Sequence, residues 1–278
     1  MSARAEGSPT RALARLYCPP AQRAVFEALL GIEAEIRAGL EPGVEHVVAH
    51  ARLGWWREEC ERLGSGQPLH PLTRELREGL GTHAPAALRD IQGFVDLAVW
   101  DLAGATFASR RELSAYAQRW SAAFVAPLAC LSLADPPPQR ALALGARLRE
   151  LELLNSLSAD AHTGRLRLPL DELEAAGATP EQLSAARFAP ALANCVRLKH
   201  VQARAALAAA VAALEPHEQA PLRALLVWAA LRVAHSRRLS GALPRAGSPG
   251  EYHAPLDGWR AWRAARSAQA GRLQLRAD

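Results

Sequence analysis

Three features of the sequence predict an all-α fold. β-Branched residues are few, and no run alternates apolar and polar residues as a half-buried strand does. Helix formers, chiefly Ala, Leu and Arg, fill the intervals between Pro and Gly breaks. Within those intervals apolar residues recur at three-to-four spacing, the period of an amphipathic helix. The chain has 278 residues, half of them hydrophobic, enough to bury a large core. No break is long enough to be an interdomain linker, so a single domain is the simplest reading.

A first helix is expected after Pro19-Pro20, running to about Arg37 with Val25, Leu29, Ile32 and Ile36 on one face; Gly39 and Pro42-Gly43 end it. A second runs from Val44 to about Leu63 and exits at Gly64-Ser65-Gly66. His70–Leu80 forms a third, opened by Pro71 in a first-turn position. Pro85–Ala103 is a fourth, with Leu88, Ile91, Phe94, Val95, Ala98 and Leu102 apolar. Ser109 and Glu112 read as a capping box for a fifth helix reaching Leu133. After the Asp135-Pro-Pro-Pro138 break, a sixth spans about Gln139–Ser158, and a seventh runs from Thr179-Pro180 to near Phe188. Pro190–Leu214 and Pro216–Leu239 are two long helices, and Pro255–Ala268 is the last, carrying Leu256, Trp259 and Trp262. The expected organisation is a flexible N-terminus over 1–15, a helical domain over 16–240, and a C-terminal loop and helix over 241–278 that packs on the domain.

Composition narrows the function classes. Cys18, Cys60, Cys130 and Cys195 are far apart and form no C-x-x-C pair, so neither a zinc knuckle nor a disulfide framework is indicated and a reducing cytoplasm fits best. The first 20 residues lack an apolar run of signal-peptide length, and no segment approaches the roughly 20 apolar residues of a membrane span; a peripheral membrane contact stays compatible. The formal charge of +5 rests almost wholly on arginine, Lys199 being the single lysine. Those arginines are scattered and aromatics are sparse, so no nucleic-acid partner is expected.

Arg149, Glu152, Ser156 and Ala159 or Asp160 follow three-to-four spacing and share one face of the sixth helix, opposite Leu144, Leu148, Leu151 and Leu154. That face either lines a pocket or forms a solvated stripe. His46 and His50 have the i, i+4 spacing of a metal-binding pair but no acid between them, so an ordinary polar face is the better reading. Trp55 and Trp56 are adjacent and point in different directions; both are read as core. Arg165 and Arg167 beside Asp160 are candidates for a phosphate or simply solvate a loop.

The continuation Gly164-Arg165, Leu168-Pro169, Asp171-Glu172-Leu173 and Gly177 resembles the squalene/phytoene synthase family. So does Arg52-Leu53-x-Trp55-Trp56-Arg57-x-Glu59, followed by Gly66-x-Pro68 and His70-Pro71, and so does Asp101-Leu102 followed by Glu112-Leu113-x-x-Tyr116. In order, these cover roughly residues 15–240. The resemblance implies an isoprenoid-synthase-like helical bundle around a central cavity. It also implies a site drawn from Arg52, Arg57, Tyr116, Arg149, Glu152, Ser156, Asp160 and Arg165, facing an isoprenoid or prenyl diphosphate.

The family's two Asp-rich clusters hold Mg²⁺ against that diphosphate, and here both are depleted. The Asp-x-x-Glu-Asp positions read Ser156, Ala159 and Asp160. The first cluster falls on ALLGIEAEIR, which offers Glu33 and Glu35, about 200° apart on a helix. No cofactor is therefore expected, and the leading expectation is a catalytically degenerate member with an isoprenoid- or partner-binding cavity. The first alternative is an active head-to-head prenyltransferase with Glu35, Glu152 and Asp160 holding Mg²⁺, which requires Glu33 or Glu35 to converge with Glu152 or Asp160. The second is an interaction protein, resembling a respiratory-complex assembly factor, whose cavity has closed.

Overall fold

A computed structural model describes residues 9–41, 43–246 and 256–276. The chain order is α1 (Pro9–Leu16), α2 (Arg23–Ala38), α3 (His46–Gly64), α4 (Pro71–Leu80), α5 (Ala84–Ala87), α6 (Gly93–Leu102) and α7 (Arg110–Ser132). There follow α8 (Gln139–Asn155), α9 (Leu157–His162), α10 (Leu170–Ala175), α11 (Pro190–Ala212), α12 (Pro216–Gln219), α13 (Arg223–Ala242) and α14 (Asp257–Gln269). No strand forms among the described residues; one isolated antiparallel bridge joins Arg187 and Arg245. No helix among them is long and apolar enough to cross a membrane.

The fold is the expected all-α bundle. Helices α2, α7, α8 and α13 carry its centre, where Phe26, Leu29, Ile32, Trp120, Phe124, Leu148, Leu151, Leu226 and Trp228 are fully buried. Phe124 stacks on Trp120 at 4.9 Å and meets Phe26 and Trp228 edge-on at 5.7 Å, so aromatic rings join three of these helices directly. Helices α3, α4 and α6 cover the α2 side, α11 covers α8, and α14 lies along α13.

Several boundaries differ from the sequence reading. Part of the segment expected to be flexible, Pro9–Leu16, is helix α1, packed on α13 and α14; residues 1–8 lie outside the described residues. The single helix expected over Pro85–Ala103 is broken into α5 and α6 by turns over Leu88–Gln92. The bend brings Gly93 against α7, where an added Cβ would meet the Arg119 carbonyl at 3.1 Å and Ala123 Cβ at 3.3 Å. The expected seventh helix is only a 3₁₀ turn, Pro180–Ser184, with a Thr179/Gln182 capping box, and α10 was not anticipated. Pro216–Leu239 divides into α12 and α13. At α7 the expected Ser109 cap is absent: Glu112 accepts instead from the Ala108 amide at 2.7 Å. The Pro255 start of the last helix, Pro42, and residues 247–250 of the expected C-terminal loop lie outside the described residues.

The tryptophan-arginine helix α3 has a structural purpose. Fully buried Glu59 accepts from the amides of Leu69 and His70 at 2.8 and 2.9 Å, from Thr73 Oγ1, and from Arg62 Nε at 2.8 Å. One carboxylate thereby fixes the turn between α3 and α4. Burial pushes its pKa up, and the bonds from Thr73, His70, Arg62 and Leu69 more than offset this, leaving it below the ordinary value. Trp56 is core as expected. Trp55 is not: it is 40% exposed, with Arg62 over its ring at 5.6 Å.

The tightest helix contact is α7 on α8, where Gly145 permits close approach. A Cβ there would overlap Ser121 Oγ and Val125 Cγ2, and Ser121 Oγ already donates to the Leu142 carbonyl at 2.7 Å. Gly145→Ala should therefore destabilise the protein by about 1–3 kcal/mol in urea unfolding. Gly54→Ala in α3, where nothing lies within 4 Å, should be neutral or stabilising by up to about 1 kcal/mol.

Candidate functional site

Five helices converge on one buried charge cluster. Glu33 comes from α2, Trp120 from α7, Arg149 and Glu152 from α8, Trp228 and Arg232 from α13, and Arg11 from α1. Arg11 bridges both acids, at 2.7 Å to Glu33 Oε2 and 3.3 Å to Glu152 Oε2. Arg149 does the same from the other side, at 3.6 Å to Glu33 Oε1 and 3.2 Å to Glu152 Oε2. Arg232 reaches Glu152 Oε1 at 3.1 Å. The indole N–H groups complete the set: Trp120 donates to Glu33 Oε1 at 3.1 Å and Trp228 to Glu152 Oε1 at 3.0 Å. Arg11 lies over the Trp228 ring at 4.6 Å, and Arg149 lies 5.2 Å from the Trp120 ring.

All four carboxylate oxygens are thus engaged by protein donors. Burial pushes the Glu152 carboxyl up, but Arg11, Arg232 and Arg149 outweigh it and hold the pKa at about 2. Glu33 is likewise lowered, burial being overcome by Arg11, Arg149 and Arg37. Both acids are ionised throughout the neutral range, and three guanidiniums, with part-exposed Arg37 3.6 Å from Glu33 Oε1 as a fourth, face two carboxylates.

A second cluster adjoins the first. Arg167, nearly fully buried, binds Asp101 through two parallel bonds of 2.8 and 3.1 Å and reaches Asp160 Oδ2 at 3.2 Å. Tyr116 donates to Asp101 at 3.2 Å. Between the clusters lies a cavity of about 10 Å³, lined among others by Glu33, Ile36, Asp101, Tyr116 and Arg149. That is about the room of one water molecule, against roughly 300 Å³ or more for small-ligand pockets.

The candidates from sequence divide sharply. Arg149, Glu152 and Tyr116 are buried at the centre, so the face of α8 is not a solvated stripe. Asp160 is partly buried, but in the second cluster. Ser156 is exposed, because α8 stops at Asn155 and a turn precedes α9, which ends the three-to-four register. Arg52 and Arg57 are exposed on α3, outside both clusters. Arg165 donates to the Leu40 carbonyl at 3.0 Å and so ties a loop down. Glu35 is half-exposed and bonds His70 Nε2 at 3.1 Å. His46 and His50 contact each other on the surface at 3.1 Å.

Gly164 ends α9 with φ +78°, its N–H and that of Arg165 returning to Ala161 and Asp160 carbonyls, so the Gly-Arg pair is a helix exit. Sequence reasoning passes over Arg11, Trp120, Trp228 and Arg232, which nothing local marks, and takes Asp101 only as part of the family resemblance. Glu33 enters the sequence reading as an acid unable to share an ion with Glu35 and as one of two acids that must converge with Glu152 or Asp160 if the enzyme alternative holds.

The cluster does not suit Mg²⁺. Glu33 and Glu152 do converge, as the enzyme alternative requires, but an ion there would have to displace arginines from every oxygen and would meet net positive charge. The expected Glu35, Glu152 and Asp160 set is dispersed over three separate environments. Among the described residues no group of three or more His, Cys, Asp or Glu is placed to hold a metal.

A depressed folded pKa for Glu152 means that its stabilisation is complete above the ordinary 4.5 and is lost as pH falls through about 2. That carboxyl should therefore contribute about 3 kcal/mol to the loss of stability between those limits. Glu152→Gln should flatten the slope in acid-titrated urea unfolding and cost about 3–5 kcal/mol at pH 7, since it leaves guanidiniums facing one another.

Comparison with known proteins agrees with the bundle. The profile of the Squalene/phytoene synthase family matches residues 4–256. A phytoene synthase from Arthrospira platensis is 29% identical over 139 residues, a match that covers 44% of this chain and only 44% of that protein. A dehydrosqualene synthase solved in complex with a ligand superposes with a TM-score of 0.70 at 12% identity, covering 95% of this chain and 92% of the other. The squalene synthase HpnC from Alicyclobacillus acidocaldarius gives a TM-score of 0.66 at 16% identity, covering 85% and 89%. At such identities the structural likeness speaks for the fold alone, while the profile match spans nearly the whole chain: this protein belongs to the squalene/phytoene synthase family.

Proposed function

We propose that this chain is a catalytically degenerate member of its family, a helical interaction protein whose interior is closed by ion pairs. The observation that carries the reading is the engagement of all four oxygens of Glu33 and Glu152 by Arg11, Arg149, Arg232, Trp120 and Trp228. Ionising a prenyl diphosphate needs divalent cations to offset the charge of the leaving group, and these acids are committed to protein cations instead. Arg167 occupies Asp160 in the same way. The cavity beside these acids offers about 10 Å³ where a prenyl chain needs hundreds. What remains available to a partner is the outer surface, as in the assembly-factor-like alternative.

Incubation of the purified protein with farnesyl or geranylgeranyl diphosphate and Mg²⁺ should release no diphosphate above a no-enzyme control. Release above that background overturns the proposal. A chain-length series of non-hydrolysable analogues should show no saturable binding in calorimetry; saturable binding that strengthens with chain length would restore the isoprenoid-cavity reading.

A further inference from the structure

Helix α14 is inverted relative to a usual surface helix. Its packed face is nearly all alanine, with Ala261, Ala264, Ala265 and Ala268 buried. Its outer face carries Trp259 and Trp262, 53% and 47% exposed, together with exposed Arg263 and Arg266. At 100° per residue these four side chains fall within an arc of about 100°. Exposed Leu256 precedes the helix. The Arg263 guanidinium lies 5.3 Å from the Trp259 ring, and that of Arg266 lies 5.2 Å from the Trp262 ring. No acid occurs between 258 and 276, whereas Arg260, Arg263, Arg266, Arg272 and Arg276 do. Asp257, which opens the helix, is buried and paired with Arg238 and Arg260, so it does not offset the outer charge.

Large apolar rings held in water are unfavourable unless something covers them. The covering surface must accept two indoles and several guanidiniums together and must itself be anionic. The headgroup layer of an acidic phospholipid bilayer meets those requirements: indoles settle at its depth with the N–H toward water, and guanidiniums pair with phosphate oxygens. We propose that the Trp259–Arg266 face of α14 docks the protein on anionic bilayer surfaces, lying in the interface plane without insertion of a spanning segment.

The test is co-sedimentation of the full chain with vesicles of phosphatidylcholine alone or with about 30 mol% phosphatidylserine. Binding is expected to the anionic vesicles only, with a blue-shifted tryptophan emission, and to weaken from about 0.1 M to about 0.5 M NaCl. The W259A/W262A and R263E/R266E variants should each reduce partition by roughly tenfold or more while keeping the parental circular-dichroism melt, since these side chains are exposed. Failure of the parent protein to bind, equal binding to both vesicle types, or unaltered binding by both variants would overturn the proposal. So would saturable binding to nucleic acid or polyglutamate through this face with vesicles ignored.

Discussion

Two buried carboxylates at the centre of a helical bundle must be neutralised, and the rest of this structure is arranged around that requirement. Glu33 on α2 and Glu152 on α8 stand in an interior too apolar to leave them unpaired. A divalent cation is one means of supplying the positive charge. Here it comes from side chains, Arg11, Arg149 and Arg232, anchored in three different helices. The solution is specific as well as neutralising. Each acid also accepts from one indole, and each bridging arginine, Arg11 and Arg149, lies over one of those two indoles, so the tryptophans fix both acids and both bridging arginines.

A buried ion cluster is seldom the most stabilising way to fill a core, because desolvation consumes most of the Coulombic gain. Its effect is to restrict the alternatives. Removing either acid leaves guanidiniums facing one another, so the pairs tie α1, α2, α8 and α13 together. The small cavity beside Arg149 is bounded by groups whose charges are already matched.

Much of this was legible in the sequence, for physical reasons that also mark where legibility ends. Helix existence followed from period and from Pro/Gly punctuation, both local properties. Arg149 and Glu152 were identified as sharing a face because three-residue spacing within one helix is also local. The pairing of Glu152 with Arg11 spans 141 residues, and that of Glu33 with Trp120 spans 87, and no spacing rule reaches so far. Arg11 was hidden further by its setting, a short Arg- and Pro-containing segment that reads as a solvated terminus. Ser156 shows the opposite error: the three-to-four count was sound only while the helix continued, and the turn after Asn155 ended it. Trp55 shows that one of two adjacent aromatic residues on a helix can be left at the surface while the other is buried.

The position of α1 also bears on how the molecule is assembled during synthesis. Its arginine meets Glu152 and its ring partner Trp228, and the Tyr17 carbonyl just beyond it is held by Arg223, 206 residues later. Glu33 therefore leaves the ribosome long before the helices that complete its surroundings. A nascent chain has to carry an unsealed, charge-bearing interior until α13 emerges, and closure of the centre is then a late, long-range event. Helix α1, made early, is locked late, by α13.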